Sequence, residues 1–287
     1  MAEAERVAVA IQGGAMRSVY CAGAVRALAS AGIHQRVTSI HSVSSGCVSA
    51  ALLQRAGSGG PLDAHLDGLI ARLCRTRWIK PRRLGRVFDL DELVRVVDEL
   101  LCLVNGRLDG PVPFEVALTH AVTGRATYLD LVGADAARRR DALRATMALP
   151  FLYDRPIVLD GARYVDGGLA DPLPVLRAVA SGADRVIAIS SKEPGRTGEP
   201  TTGMAGVLLR LAPTASQQVK ALMLSRNPLG ALTDDLLDRG RMGPVELVRI
   251  TPSRPELLVS RTDRDEVRLR RLERLGYDDA CRVLAPA

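Results

Sequence analysis

Ser44 stands in the stretch SIHSVSSGCVSAALL, residues 39–53, where an apolar run breaks into small polar residues and at once becomes apolar again. A serine at a corner between a strand and a helix is exposed on a tight turn. The helix N-terminus beside it favours developing negative charge, which is the setting of a nucleophile. The local pattern Ser42-Val43-Ser44-Ser45-Gly46 follows the G-x-S-x-G elbow with serine in place of the first glycine. Taken alone, the pattern is degenerate, and an ordinary strand-to-helix turn is the simpler account of it.

A second corner adds weight. QGGAMRS, Gln12 to Ser18, puts small residues at the end of an apolar run, so successive N–H groups can turn outward together where a helix begins. Such a nest suits the oxyanion of a tetrahedral intermediate. A phosphate loop is the other use of such a turn, but neither GxxxxGK[ST] nor GxGxxG occurs. The serine would also need a proton acceptor. His34 follows the first helix, at the opposite end of the sheet, and His41 lies inside a strand as a core residue. His65 belongs to a helical stretch of uncertain placement. His120, late in a strand, stays open as a base. The carboxylate option is Asp166 in VDGGLADPLPV, just past a strand and followed by Gly167 and Gly168, which let the backbone approach another loop closely.

These residues need a scaffold. Val7 to Ile11 reads as a strand and Val19 to Ala29 as a helix; Thr38 to Val43 and Cys47 to Leu53 repeat that order. Two strand-turn-helix units in succession imply an α/β fold of three layers, with a mostly parallel central sheet between helices. Residues 61–103 read as helices interrupted by a basic stretch, and Phe114 to Val122 with Arg125 to Leu131 as a hairpin. Asp135 to Ala148 should be a helix, and Asp160-Gly161 the tip of a second hairpin. A short helix spans Pro174 to Ala180, followed by a strand from Arg185 to Ser190. Residues 191–204, rich in Gly, Pro and Thr, should be a mobile loop, either part of a lid or an ordinary surface loop. Helical patterns fill much of 205–240, Val245 to Ile250 is a last strand, and Arg264 to Leu275 a charged helix with a solvated face.

With 287 residues, 47% of them hydrophobic, the chain suits one large domain. Five scattered cysteines without a CxxC pair suggest neither a disulfide framework nor a zinc site, and the acidic residues lack EF-hand spacing. No cofactor and no metal are therefore expected. The N-terminus carries acidic residues where a secretory signal needs positive charge, and no apolar run approaches the roughly 18–20 residues of a membrane span, so the expectation is a cytoplasmic protein. A net charge of +7 and a pI near 9.5 favour anionic surfaces. Nucleic acid is not the expected partner, because aromatic residues are only 3% and no helix-turn-helix or aromatic-basic module is visible. The basic segment 75–86, with Arg75, Arg77, Trp78, Lys80, Arg82, Arg83 and Arg86, reads as a solvated helix face. Its other reading is a peripheral contact with the inner membrane surface.

Three segments in this order, IQGGAMRSVYCAGAVRAL, SVSSGCVSAALL and LPFLYDRPIVLDGARYVDGGLADPLPVLRAVASGADRVIAIS, resemble the patatin-like phospholipases, bacterial acyl hydrolases. The tail around ITPSRPELLVSRTDRDE is similar to one bacterial subgroup of them. The resemblance implies a patatin-like domain over residues 5–251, with a helical extension, 252–287, packed on it. It also implies a Ser44–Asp166 dyad without histidine, and an oxyanion hole from Gly13, Gly14, Ala15 and Met16. Arg17, Gly46, Gly167 and Gly168 would act in support. The implied substrate is a fatty-acyl ester of a phospholipid or lysophospholipid. The alternative is a non-catalytic relative that binds lipid or a protein partner. Ala15, Ser18 and Ser42 depart from the family's glycines, which bears on efficiency more than on fold. Ala15 offers its N–H without strain if φ is negative; a left-handed backbone there costs about 1–2 kcal/mol.

Overall fold

Val7–Ile11 is apolar and buried at every position, as a strand must be when helices cover both faces of its sheet. The computed structural model describes residues 5–59, 62–75, 89–100, 112–150, 153, 156–203, 206–207 and 216–285. In it this strand, β1, sends Val7, Val9 and Ile11 into one core and Ala8 and Ala10 into another. The period-two alternation of a strand thus divides one apolar run between two layers.

Along the chain follow β2 (Val37–Val43), β3 (Phe114–His120), β4 (Ala126–Asp130), β5 (Ile157–Leu159) and β6 (Ala162–Asp166), then β7 (Arg185–Ile189), β8 (Arg241–Met242) and β9 (Val245–Ile250). They form one sheet in the order β5-β6-β3-β2-β1-β7-β9-β8, with β4 also paired to β3. The centre, from β3 through β9, is parallel. The antiparallel pairs lie at the two ends. Asp160 and Gly161 both have positive φ, 50° and 77°, as the two-residue hairpin turn read from Asp-Gly requires.

The larger core receives α1 (Val19–Ser30), α2 (Gly46–Gly57), α3 (Leu62–Arg75), α4 (Leu90–Leu100), α5 (Ala136–Met147) and α9 (Glu266–Leu284). The opposite face is covered by α6 (Val175–Ala180) and α8 (Pro228–Arg239), while α7 (Gln217–Leu224) packs on a small cluster around Val165 and Leu169. The result is the three-layer α/β/α arrangement with a mostly parallel sheet.

Two expectations change. The charged helix runs on from Leu275 to Leu284, where Gly276 and Asp279 are contact residues on α1. A Cβ on Gly276 would stand 2.0 Å from the Tyr20 carbonyl oxygen, and one on Gly23 1.9 Å from that of Glu273, so the two helices touch backbone to backbone. Tyr20 donates its hydroxyl to Asp279 at 3.1 Å beside this contact. The loop after β7 is also not a free one. Thr197 is buried and donates its N–H and hydroxyl to Asp234 of α8 at 2.9 and 2.7 Å. Asn227 donates its N–H to the Gly198 carbonyl at 2.9 Å.

Of the basic segment 75–86, Arg75 closes α3 and the remainder lies outside the described residues. The arginines of α9 do form a solvated face, with Arg268, Arg270 and Arg274 paired to Asp263, Asp67 and Asp278. Among the described residues no helix is long and apolar enough to cross a membrane, and no cluster of metal-ligating side chains occurs.

Gly276→Val should destabilise the protein by about 3 kcal/mol, since backbone cannot yield as a flexible side chain does. Gly68, exposed on α3 with nothing within 4 Å of an added Cβ, should behave oppositely: Gly68→Ala should stabilise by about 0.5–1 kcal/mol. Urea denaturation of the two variants beside wild type measures both.

Candidate active site

β3 has two edges, and β4 occupies one of them from Glu115 to Thr119. The other edge is shared. β2 runs parallel along Phe114 to Ala117, and β6 comes from the opposite direction along His120 to Leu118. The last rungs, Val43 with Ala117 and Asp166 with Leu118, are neighbours. Two strands distant in sequence therefore meet end to end, and Ser44, one residue past β2, faces Asp166. The Ser44 hydroxyl donates to Asp166 Oδ2 at 2.8 Å across 122 positions of sequence.

Both groups are fixed from behind. Ser44 has φ of 53°, a left-handed conformation unfavourable to a residue with a Cβ. Thr146, at the end of α5, holds it there: its hydroxyl accepts the Ser44 N–H at 2.9 Å and donates to the Ala117 carbonyl at 2.7 Å. Gly46 opens α2 against the carbonyls of Ile11 and Gln12. Asp166 takes the Thr119 hydroxyl on its carbonyl at 2.8 Å and the Gly168 N–H on Oδ1 at 2.8 Å. Gly167 has no room for a side chain, since a Cβ would lie 1.9 Å from the Ala117 oxygen. Asp166 is 5% exposed. Burial pushes its carboxyl up to about 6, against the hydrogen bonds from Ser44 and Gly168 and the charge of Arg261.

The glycine loop closes over this pair. A Cβ on Gly13 would come 2.7 Å from that of Ser44, and the Gly13 carbonyl accepts the Ser191 hydroxyl at 2.5 Å. The Gly14 N–H donates to Ser45 Oγ at 3.0 Å and the Met16 N–H to the Arg261 carbonyl at 3.3 Å. Those two amides are therefore engaged, whereas those of Gly13 and Ala15 have no acceptor among the described residues. Ala15 does not have the negative φ that would leave it unstrained; it stands at 52°. Ser18 donates its hydroxyl to the Ala15 carbonyl at 2.7 Å and secures that conformation. Ser42 is fully buried in β2, with no partner for its hydroxyl among the described residues. Arg17 donates Nε to the Val259 carbonyl at 2.8 Å, tying the loop to the segment before α9.

The histidines go elsewhere. His120 Nδ1 accepts the N–H groups of Val122 and Thr123 at 3.3 and 3.2 Å, which commits the ring left open as a base to the β3–β4 turn. His41 is a buried core residue between Glu115 and Ser39, each at 3.0 Å. His34 lies in the turn Ile33–Arg36 and His65 on α3.

Ser44, Asp166 and the glycine loop line a cavity of about 430 Å³ that continues along Leu69 and Leu73 of α3, Leu90 and Leu93 of α4, Met147 and Met223. One end is polar and reactive, the other apolar, as a ligand with a hydrocarbon tail requires. Sequence reasoning misses Thr146, Ser45, Lys192 and Arg261. Ser45 alone carries a signal, as the residue whose amide follows the elbow serine.

A mostly parallel three-layer sheet with a hydroxyl and a buried carboxyl at its carboxyl-end crevice places the protein in the α/β class with a ligand site at that edge. The profile of the patatin-like phospholipase family matches residues 9–179, which take in the glycine loop, Ser44 and Asp166, and the chain belongs to that family. Over 94 residues it is 32% identical to an uncharacterized NTE family protein of Mycobacterium tuberculosis, spanning 31% of this chain and 24% of that protein. Over 49 residues it is 39% identical to the uncharacterized protein YjjU of Escherichia coli, spanning 17% and 14%. The matches thus cover a quarter or less of these curated relatives. The solved structure of VipD from Legionella pneumophila aligns with a TM-score of 0.47 at 14% identity, over 98% of this chain and 67% of its own.

The raised carboxyl of Asp166 has a consequence for stability. Its folded-state value of about 6 lies above the ordinary 3.8, so its contribution is fully present below the unfolded value and lost as pH rises through about 6. Asp166→Asn should therefore be more stable than wild type at pH 8, by up to about 3 kcal/mol, and equal to it near pH 4. Thermal denaturation at the two pH values decides it. Ala15→Gly, which removes the Cβ from a left-handed position, should stabilise by about 1 kcal/mol in the same assay.

Proposed function

We propose that the protein hydrolyses carboxylic esters of fatty acids, with phospholipids or lysophospholipids as the substrate class, by acyl transfer through Ser44. The observation that carries this reading is the 2.8 Å hydrogen bond from a serine on a strained corner to a buried carboxyl. Ser44 Oγ attacks the ester carbonyl carbon while its proton passes to Asp166 Oδ2, and the carbonyl electron pair moves onto oxygen. The oxyanion is met by the amides of Gly13 and Ala15, which are otherwise unused, and by that of Ser45 at the start of α2. Collapse expels the alcohol, which takes the proton from Asp166 and leaves an acyl ester on Ser44. Water then attacks that ester and gives a proton to Asp166; release of the fatty acid returns the proton to Ser44.

Asp166 suits the role because it must be ionised to accept a proton, yet basic enough to take one at neutral pH. A carboxyl near 6 meets both demands. The strain at Ser44 and Ala15 supports the same reading, since such conformations are retained at sites where geometry serves a reaction. A lipid-binding protein without turnover is the rival reading.

Wild-type protein should be labelled by a fluorophosphonate, and Ser44→Ala should not. On a p-nitrophenyl ester, kcat/KM should rise with pH through about 6 and level off above it, as Asp166 loses its proton. Asp166→Asn should lower it by about 10³-fold or more. Equal labelling of wild type and Ser44→Ala would exclude the mechanism; labelling without turnover would favour the rival.

A further inference from the structure

Two loops beyond the family match reach the cavity. The loop after β7 supplies Lys192 and Glu199, and the stretch between β9 and α9 supplies Arg261 and Thr262. Their backbones are held. The Lys192 N–H donates to Ser190 Oγ at 3.1 Å, its carbonyl accepts the Thr251 hydroxyl, and the Arg261 carbonyl accepts the Met16 N–H at 3.3 Å. Two cationic residues are thus anchored by their backbones at the wall of the cavity that holds Ser44.

Neither is closed off by the tight ion pair that other cations here possess, although the charge of Arg261 also acts on Asp166. Glu199, in the lining, pairs with Arg196 at 2.8 Å and acts on Lys192 through its charge alone, while Glu193 takes Arg196 at 3.5 Å. Asp89, the other carboxylate at the rim, caps α4 by accepting the Glu92 N–H at 3.4 Å. Lys192 is half-buried and Arg261 exposed; the Lys192 ammonium donates to the Arg196 carbonyl at 3.3 Å, but neither Lys192 nor Arg261 forms an ion pair among the described residues. Burial first, then the like charge of Arg261, pushes the Lys192 ammonium down to about 8. Like charges gathered at one wall of a cavity raise each other's energy, and a bound anion removes that repulsion.

We infer that Lys192 and Arg261 form a subsite for the anionic phosphate of the ester substrate, so that the protein prefers acyl esters whose alcohol carries a phosphate, as a phospholipid or lysophospholipid headgroup does. The inference rests on the ester-hydrolase reading and sharpens it. Phosphate suits the pair because a guanidinium presents two parallel donors to its oxygens and an ammonium adds a point charge. The acyl tail then occupies the leucine-lined end, and the ester lies between, at Ser44.

The test compares lysophosphatidic acid with a monoacylglycerol of the same acyl chain. The ratio of kcat/KM for the first to that for the second should exceed 10 in wild type and fall 10- to 100-fold in Arg261→Gln and in Lys192→Gln. A wild-type ratio near one, or a ratio that stays within threefold of wild type in both variants, overturns the inference. If wild type cleaves neither ester, the hydrolase reading fails on its own. Calorimetry with hexyl phosphate then judges the subsite: saturable binding weakened at least tenfold by Arg261→Gln upholds it, and no binding overturns it. Inorganic phosphate separates the sources. If it binds as tightly as hexyl phosphate, the subsite belongs to free phosphate and the headgroup assignment is overturned.

Discussion

The arrangement of the site depends on how β3 shares one of its edges. β2 ends beside Ala117 and β6 ends beside Leu118, so a parallel and an antiparallel partner abut along a single strand. Backbone hydrogen bonding leaves little freedom in such a junction, because each rung is set by the one before it. The distance between the Ser44 hydroxyl and the Asp166 carboxyl is therefore a property of the sheet rather than of two flexible loops. Thr146 and Thr119 extend that control by tying both residues to the backbone around β3.

A site held this firmly contains groups that the fold would otherwise avoid. Ser44 and Ala15 adopt left-handed backbones, and Asp166 is a carboxyl almost without solvent. Each is unfavourable taken singly, and each is offset by a hydrogen bond from a neighbour. Thr146 does this for Ser44, Ser18 for Ala15 and Gly168 for Asp166. The resemblance to the family implies a glycine where Ala15 stands. The extra methyl is tolerated because a hydroxyl three residues on fastens the carbonyl of the same residue.

Much of this is readable from residue order. Alternation and glycine punctuation locate the corner at Ser44 and the strand end at Asp166, and Asp160-Gly161 specifies its own turn through the φ values it permits. The basis is local, with apolar runs of strand length followed by small residues and then helical spacing. What sequence does not reveal is carried by contacts between distant segments. Thr146 reads as one more polar residue at a helix end, and Arg261 lies far along the chain from the loop whose amide its carbonyl accepts. Gly276 gives no sign of its role in the sequence, because its missing side chain acquires a purpose only when α1 packs against it. The loop at 191–204 looks free because its anchor, Asp234, is a single acidic residue on a later helix.

The position of β1 has a consequence for biosynthesis. β1 is wholly apolar and sits between β2, its early neighbour, and β7, which appears only once Arg185–Ile189 has been made. At about 5–20 residues per second of translation, one side of that ribbon waits on the order of ten to thirty seconds for its partner. During that interval the growing polypeptide presents an unpaired, sticky border of the kind that joins other chains. Ribosome-bound intermediates of this protein are accordingly expected to depend on chaperone shielding more than a fold whose central strands are sequence neighbours.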